Sequence, residues 1–202
     1  MSGLTDFLAA FRQVSPFEAV AAALGIASVY CSTRQNILAW PTSLINNAMY
    51  GVFFFQQKLY ALMALQAFFG AIAVYGWYEW LFGGEQKTEL RVSRTPPALG
   101  MALAGLAAVA TGALVWLLRQ TADPEPLVDG SLTAVSLIAQ WMMARKLVEC
   151  WPVWVGVNLV SVPFFFHQAN YPTAVQYAVF LLLAMSGWRQ WRRSLAAVPA
   201  PA

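Results

Sequence analysis

Long apolar runs set apart by short polar punctuation pattern this chain from end to end. They lie near residues 17–33, 37–57, 59–82, 98–118, 128–144, 151–168 and 172–191, and the first and fifth are the shortest. A helix crossing a hydrocarbon core of about 30 Å needs roughly 20 apolar residues, which is the scale of these runs. Inside a bilayer every backbone group has to bond within its own segment or within a closed barrel. The runs lack the two-residue alternation of a barrel strand, so they predict helices. The pattern therefore predicts an all-α membrane protein with seven transmembrane helices.

The last third of the chain repeats the first. Shifting residues 40–80 by 111 onto 151–191 makes fourteen of forty-one positions identical. Trp40–Pro41 falls on Trp151–Pro152, Asn47 on Asn158, Phe53–Phe54–Phe55 on Phe164–Phe165–Phe166, Gly76–Trp77 on Gly187–Trp188 and Trp80 on Trp191. Two copies of one unit in an apolar chain are typical of transporters, whose sites lie between their repeats. The spans then group as 3+1+3. An odd number of helices between the copies gives both the same orientation, so the repeats are parallel. The expected organisation is an extramembrane segment (1–16), a first three-helix bundle (17–82), a linker transmembrane helix (98–118), a second three-helix bundle (128–191) and a cytoplasmic tail (192–202).

Charge gives the orientation. Hydrophobic residues make up 59% of the chain and charged residues 10%. One set of loops carries Arg34, Lys87, Arg91, Arg94, Arg145, Lys146, Arg189, Arg192 and Arg193; the opposite set carries Arg12, Lys58 and Arg119. The positive-inside bias puts the N-terminus outside and the C-terminus in the cytoplasm. The net charge of +3 is thus an orientation signal, and basic residues spread over four loops make no nucleic-acid surface. Residues 1–16 lack the basic start and apolar core of a cleavable signal, so the first span is expected to act as an uncleaved anchor. Cys31 and Cys150 fall at cytoplasmic helix ends and are expected to be free thiols.

Little here does chemistry. There is no phosphate-binding GxxxxGK[ST] segment. The one histidine, His167, has no Cys or His neighbours at metal-ligand spacing. The reading is of a protein that is not an enzyme, with no cofactor and no metal. Glu149 stands four residues after Arg145, the spacing of a helical ion pair. No ionisable group falls at mid-membrane depth, where proton relays show themselves. Passive, facilitated movement is the expectation.

What the spans do contain is amides and aromatics. Asn46 and Asn47 sit near the middle of the second span, and Asn158 lies at a similar depth in the sixth. A mid-membrane amide bonds another helix or a ligand. Trp151, Trp154 and Asn158 share one helical face. Gln66, Phe69, Ala73 and Trp77 share another, echoed by Tyr177, Phe180, Ala184 and Trp188. The shared Phe, Ala, Gly and Trp positions read as helix packing, whereas Gln66 has no use in packing. Pro163, opposite Val52, is expected to kink the sixth span. An uncharged pocket of amides and indoles suits a ligand with hydroxyls and an aromatic, even cationic, ring.

The segments LINNAMYGVFFFQQKLYALMALQAFFGAIAVYGWYEW (44–80) and ARKLVECWPVWVGVNLVSV (144–162) resemble the nicotinamide riboside transporter family, PnuC. The motifs LYA-x-x-x-LQ, YGW-x-x-W and RK-x-x-E-x-W-x-x-W carry the resemblance, which extends through Trp191. It implies a fold similar to full-length SWEET transporters, with substrate bound between two three-helix bundles joined by a linker helix. It also implies facilitated diffusion of nicotinamide riboside across the bacterial inner membrane, made net uptake by phosphorylation in the cytosol. Carried over by position, the substrate site falls on Asn46, Gln66, Trp151, Trp154 and Asn158, with Tyr50 one turn from Asn46. The amides would bond the ribose and carboxamide, and the tryptophans would stack the ring. The chain departs from many members in having Leu62 after LYA, where they carry Asp, and from some in having Asn158. Related subfamilies are thought to move thiamine or riboflavin, and a SWEET-type sugar facilitator is the reading from outside the family. Every helix is apolar on most faces, so packing into a homo-oligomer stays open.

Overall fold

A computed structural model describes residues 2–58, 60–121 and 124–196; the side chains of 2–6, 60 and 61 are not described. The helices are α1 (Ser2–Arg12), α2 (Pro16–Thr33), α3 (Ala39–Gln56), α4 (Tyr60–Phe82), α5 (Pro97–Leu118), α6 (Pro126–Ala144), α7 (Cys150–His167) and α8 (Tyr171–Ala196), with a short 3-10 turn at Glu85–Lys87. By length and composition alone, α2, α5, α6 and α7 are apolar enough to cross a membrane.

Local chemistry sets the helix starts. Ser15 caps α2: its hydroxyl accepts from the Glu18 N–H, and the Glu18 carboxylate accepts from the Ser15 N–H, a reciprocal capping box. Proline opens α2, α5 and α6, where its missing N–H costs nothing. The ends carry helix that the sequence reading did not specify. Residues 2–12 form a helix of their own. In addition, α8 runs past 191 to Ala196, so the predicted tail begins as helix and its last six residues lie outside the described set, as does Asp123. Arg192 and Arg193 end the hydropathy of the span without breaking its backbone. Pro163 is carried inside α7, which is continuous from Cys150 to His167.

The repeat holds in backbone detail. A shift of 111 carries Ala39–Gln56 onto Cys150–His167. It carries the left-handed turn residues Gln35 (φ 55°) and Lys58 (φ 60°) onto Lys146 (φ 49°) and Ala169 (φ 57°). The turn bond from Asn36 N–H to Cys31 O (2.9 Å) recurs as Leu147 N–H to Met142 O (3.0 Å).

Six helices close into a ring: α2 packs on α3, α3 on α4, α4 on α6, α6 on α7, α7 on α8, and α8 back on α2. Helix α5 lies against α6, where Gly130 lets the backbones meet; a Cβ there would come within 2.9 Å of Val115 Cγ2. Helix α1 touches α8. The two α–α seams that join the repeats, α4–α6 and α8–α2, are equivalent under the shift.

The tightest packing lies at the end of the ring that carries Arg34 and Arg145. Trp40, Trp80, Trp191 and Trp151 form an unbroken row, with centroids 5.2, 6.0 and 5.3 Å apart along it, and none is more than 2% exposed. The row crosses from one repeat to the other. Gly76 and Gly187 make room for it: a Cβ would approach Trp40 Cη2 to 2.3 Å and Trp151 Cε2 to 2.6 Å.

Candidate substrate site

The cavity inside the ring, about 520 Å³, is lined from all six ring helices. Asn46, Tyr50, Gln66, Trp151, Trp154 and Asn158 all line it, although they come from three helices of two repeats. Among the described lining residues there is no carboxylate, ammonium, guanidinium or imidazole.

The amides divide into two groups. Asn46 donates from Nδ2 to Ala21 O (2.7 Å), which ties α3 to α2. Asn158, 2% exposed, donates from Nδ2 to Trp154 O (2.7 Å) one turn back on its own helix. Both carboxamides therefore spend one N–H on backbone, which fixes their orientation and leaves the oxygen and the second N–H of each to meet a ligand. Gln66, Gln140 and Gln176 line the same cavity from α4, α6 and α8 without a hydrogen bond to protein among the described residues. Gln140 and Gln176 were not singled out in the sequence. The signal that marked Gln66, an amide inside an apolar helical run, was present at both. Their repeat partners are Val29 and Leu65, so the site is polar in an unsymmetrical way.

The aromatics also differ from expectation. Phe69 and Phe180, read as packing, line the cavity, because the face they share with Gln66 and Tyr177 points into the ring rather than between helices. Trp40 lines it beside Trp151. The indole nitrogens of Trp40, Trp151 and Trp154 are enclosed without partners among the described residues; Trp40 and Trp151 are almost wholly covered, whereas Trp154 keeps part of its surface exposed. Each such orphan donor costs about 1–3 kcal/mol. Tyr50 stacks on Phe54 at 5.9 Å and meets Phe17 edge-on at 6.3 Å. Ser43 stands where the second repeat has Trp154, so the cavity has a hydroxyl on one side and an indole on the other.

The Arg145–Glu149 ion pair expected from spacing does not form. Arg145 caps the end of α6, Glu149 precedes α7, and the left-handed turn at Lys146 separates them. Arg145 instead donates to the Tyr75 hydroxyl (3.2 Å) and the Glu79 carboxylate (3.1 Å) on α4. The Tyr75 bond, with Glu79 adding to it, holds its pKa above the ordinary value. Glu149 accepts from Thr95 N–H and Oγ1–H, both at 2.7 Å. Lys146 is 5% exposed, donates to Leu90 O (2.8 Å), and sits 4.5 Å from the Trp80 ring centroid. Burial pushes its ammonium pKa down. Cys31 and Cys150 are free thiols.

Known proteins resemble this chain in sequence and in fold. The chain is 28% identical over 207 residues to the nicotinamide riboside transporter PnuC of Escherichia coli (strain K12), spanning 90% of this chain and 87% of that protein. It is also 28% identical over 173 residues to the riboflavin/roseoflavin transporter RibM of Streptomyces davaonensis, spanning 83% and 80%. The crystal structure of the vitamin B3 transporter PnuC superposes with a TM-score of 0.72 at 22% identity, covering 96% of this chain and 89% of that one, a likeness of fold. A family model described as nicotinamide mononucleotide transporter matches residues 15–193, which take in the cavity and all of the ring but the last three residues of α8. The chain therefore belongs to the nicotinamide mononucleotide transporter family, the membrane transporters that include PnuC.

Proposed function

We propose that this protein carries nicotinamide riboside across the membrane by facilitated diffusion. The observation that supports this most is the uncharged, amide- and indole-lined cavity between the repeats. A phosphate in such a site would be a buried anion with no counter-charge, which costs several kcal/mol or more. A nucleoside carries no anion, and its one positive charge is spread over a pyridinium ring that aromatic faces can meet. Its hydroxyls and carboxamide match Gln66, Gln140 and Gln176 and the free oxygens of Asn46 and Asn158. Its cationic pyridinium ring suits the partly exposed indole of Trp154, while the fully covered Trp151 belongs to the wall of the site. Tyr50 lines the site one turn beyond Asn46 on α3. The ligand read here is thus the nucleoside rather than the nucleotide of the family's description.

In this reading α2–α4 and α6–α8 are two parallel three-helix bundles, α5 is the linker, and the 3+1+3 arrangement is that of full-length SWEET transporters. Seven helices cross the bacterial inner membrane, with the N-terminus outside and the tryptophan row at the cytoplasmic end. The bundles rock about the cavity to give alternating access. Uptake is a uniport, made net by phosphorylation in the cytosol. A riboflavin reading has one observation behind it, the equal identity to RibM.

Purified protein in liposomes tests the proposal. Entry of labelled nicotinamide riboside that stops at equal concentrations, without an ion gradient and without competition by the mononucleotide, is the expected result. Accumulation against a gradient, or equal competition by the mononucleotide, would refute it.

A further inference from the structure

The two seams between the repeats are equivalent in sequence position but not in their polar contacts. At both, an indole N–H reaches across to a backbone carbonyl: Trp80 to Met143 O and Trp191 to Ser32 O, each 3.1 Å. Those four residues are related by the shift of 111, so this latch is common to both seams. Everything beyond it is one-sided.

At the α4–α6 seam, Arg145 holds Tyr75 and Glu79. The connector between α4 and α5 then straps the turn that follows α6. Ser93 N–H bonds Lys146 O (3.0 Å), Val148 N–H bonds Ser93 O (2.9 Å), and Thr95 gives both its donors to Glu149. Lys146 closes the strap through Leu90 O. At the α8–α2 seam, the counterparts of Arg145, Tyr75 and Glu79 are Arg34, Ser186 and Gln190. Arg34 lies over the ring of Tyr30 on its own helix, 5.6 Å from its centroid. Gln190 bonds Ser186, also on its own helix (2.9 Å). Besides the indole latch, one neutral bond crosses here, from Gln35 Nε2 to Ser194 Oγ (2.8 Å). No counterpart of the strap occurs among the described residues.

We propose that the sealed end opens between α2 and α8, while the strapped α4–α6 seam stays shut and acts as the hinge side. The inference rests on the transport reading, since only a moving ligand requires that end to open. Breaking α8–α2 costs two neutral hydrogen bonds, one of them the indole latch. Breaking α4–α6 costs an ion pair, a buried lysine's bond and a two-way backbone bridge as well. An interface with one weak and one strong side hinges on the strong one.

Ser32 and Met143 supply a matched pair of probes, each 5% exposed and each carrying the carbonyl of its own latch. In a Cys31→Ala, Cys150→Ala background that still exchanges nicotinamide riboside, Ser32→Cys or Met143→Cys is introduced singly. Inside-out vesicles are then treated with a membrane-impermeant thiol reagent during exchange. Ser32→Cys is expected to react about tenfold faster than Met143→Cys or more. Equal rates, the reverse order, or protection of both in vesicles that exchange ligand would overturn the proposal. A parent protein that exchanges no ligand would instead refute the transport reading, and the proposal with it. Should either single variant fail to fold, disulfides decide. Locking Gln35→Cys to Ser194→Cys should stop exchange until reduction, and locking Thr95→Cys to Glu149→Cys should not. The opposite pattern, or arrest by both, would overturn it.

Discussion

Trp40 and Trp151 each occupy a slot that exists only because a glycine lies across from it, so a single methyl group is enough to disturb the tryptophan row. Gly76→Ala and Gly187→Ala each force a Cβ to within about the distances that real contacts never show, 2.3 and 2.6 Å. Such overpacking costs about 1–3 kcal/mol. Thermal unfolding in detergent should fall by several degrees for both, while Gly156→Ala, facing open space, should be near neutral. At the cavity the expected signature is the opposite. Gln66→Ala and Gln176→Ala remove amides with no protein partner among the described residues, so they should weaken nicotinamide riboside binding about tenfold or more and leave the melting temperature unchanged. Calorimetry paired with a melting curve separates the two classes. Asn158→Ala should lower both, because its Nδ2–H also ties down its own turn. These cavity residues were legible as polar positions in apolar runs. Gln140 and Gln176 carried that signal as plainly as Gln66. The latches of Trp80 and Trp191 were not legible, because their acceptors are backbone carbonyls of Met143 and Ser32, which no side chain announces.

Whole helices followed the apolar runs closely, and the misreadings have a common cause. Hydropathy reports on the solvent around a segment, whereas helix ends are set by caps and turns. Helix α1 escaped because Leu4, Phe7, Leu8 and Phe11 form a short amphipathic stripe rather than a run. Arg145 and Glu149 were misjudged because spacing was taken for shared helix, and the left-handed Lys146 turn lies between them. Two substitutions test the element level. Ser15→Ala removes the capping box of α2 and should cost about 1 kcal/mol. Glu149→Gln keeps the shape of the strap but removes the charge that strengthens two 2.7 Å bonds from Thr95, and should cost about 1–2 kcal/mol. If the strap is a mere surface loop, hydrogen exchange of the Ser93 and Val148 amides will be fast in both the parent and Glu149→Gln. If it holds the seam, those amides will be protected in the parent and freer in the variant.

At the scale of the molecule, the duplication was the most legible feature, and it fixes both the ring and the place of the cavity. Equivalent helices meet equivalent neighbours, so two copies of one packing scheme enclose a space that neither copy encloses alone. What duplication conceals is the asymmetry. Ser43 against Trp154, Gln140 against Val29 and Glu79 against Gln190 are single-position differences, and only the closed ring shows which of them face the ligand and which face a seam. The central claim is that this uncharged cavity selects a nucleoside. Calorimetric titration of the purified protein with nicotinamide riboside, nicotinamide mononucleotide and riboflavin tests it most directly. The account predicts saturable binding of nicotinamide riboside and none of the mononucleotide under the same conditions. Binding of the mononucleotide with equal or greater affinity, or of riboflavin alone, would contradict it.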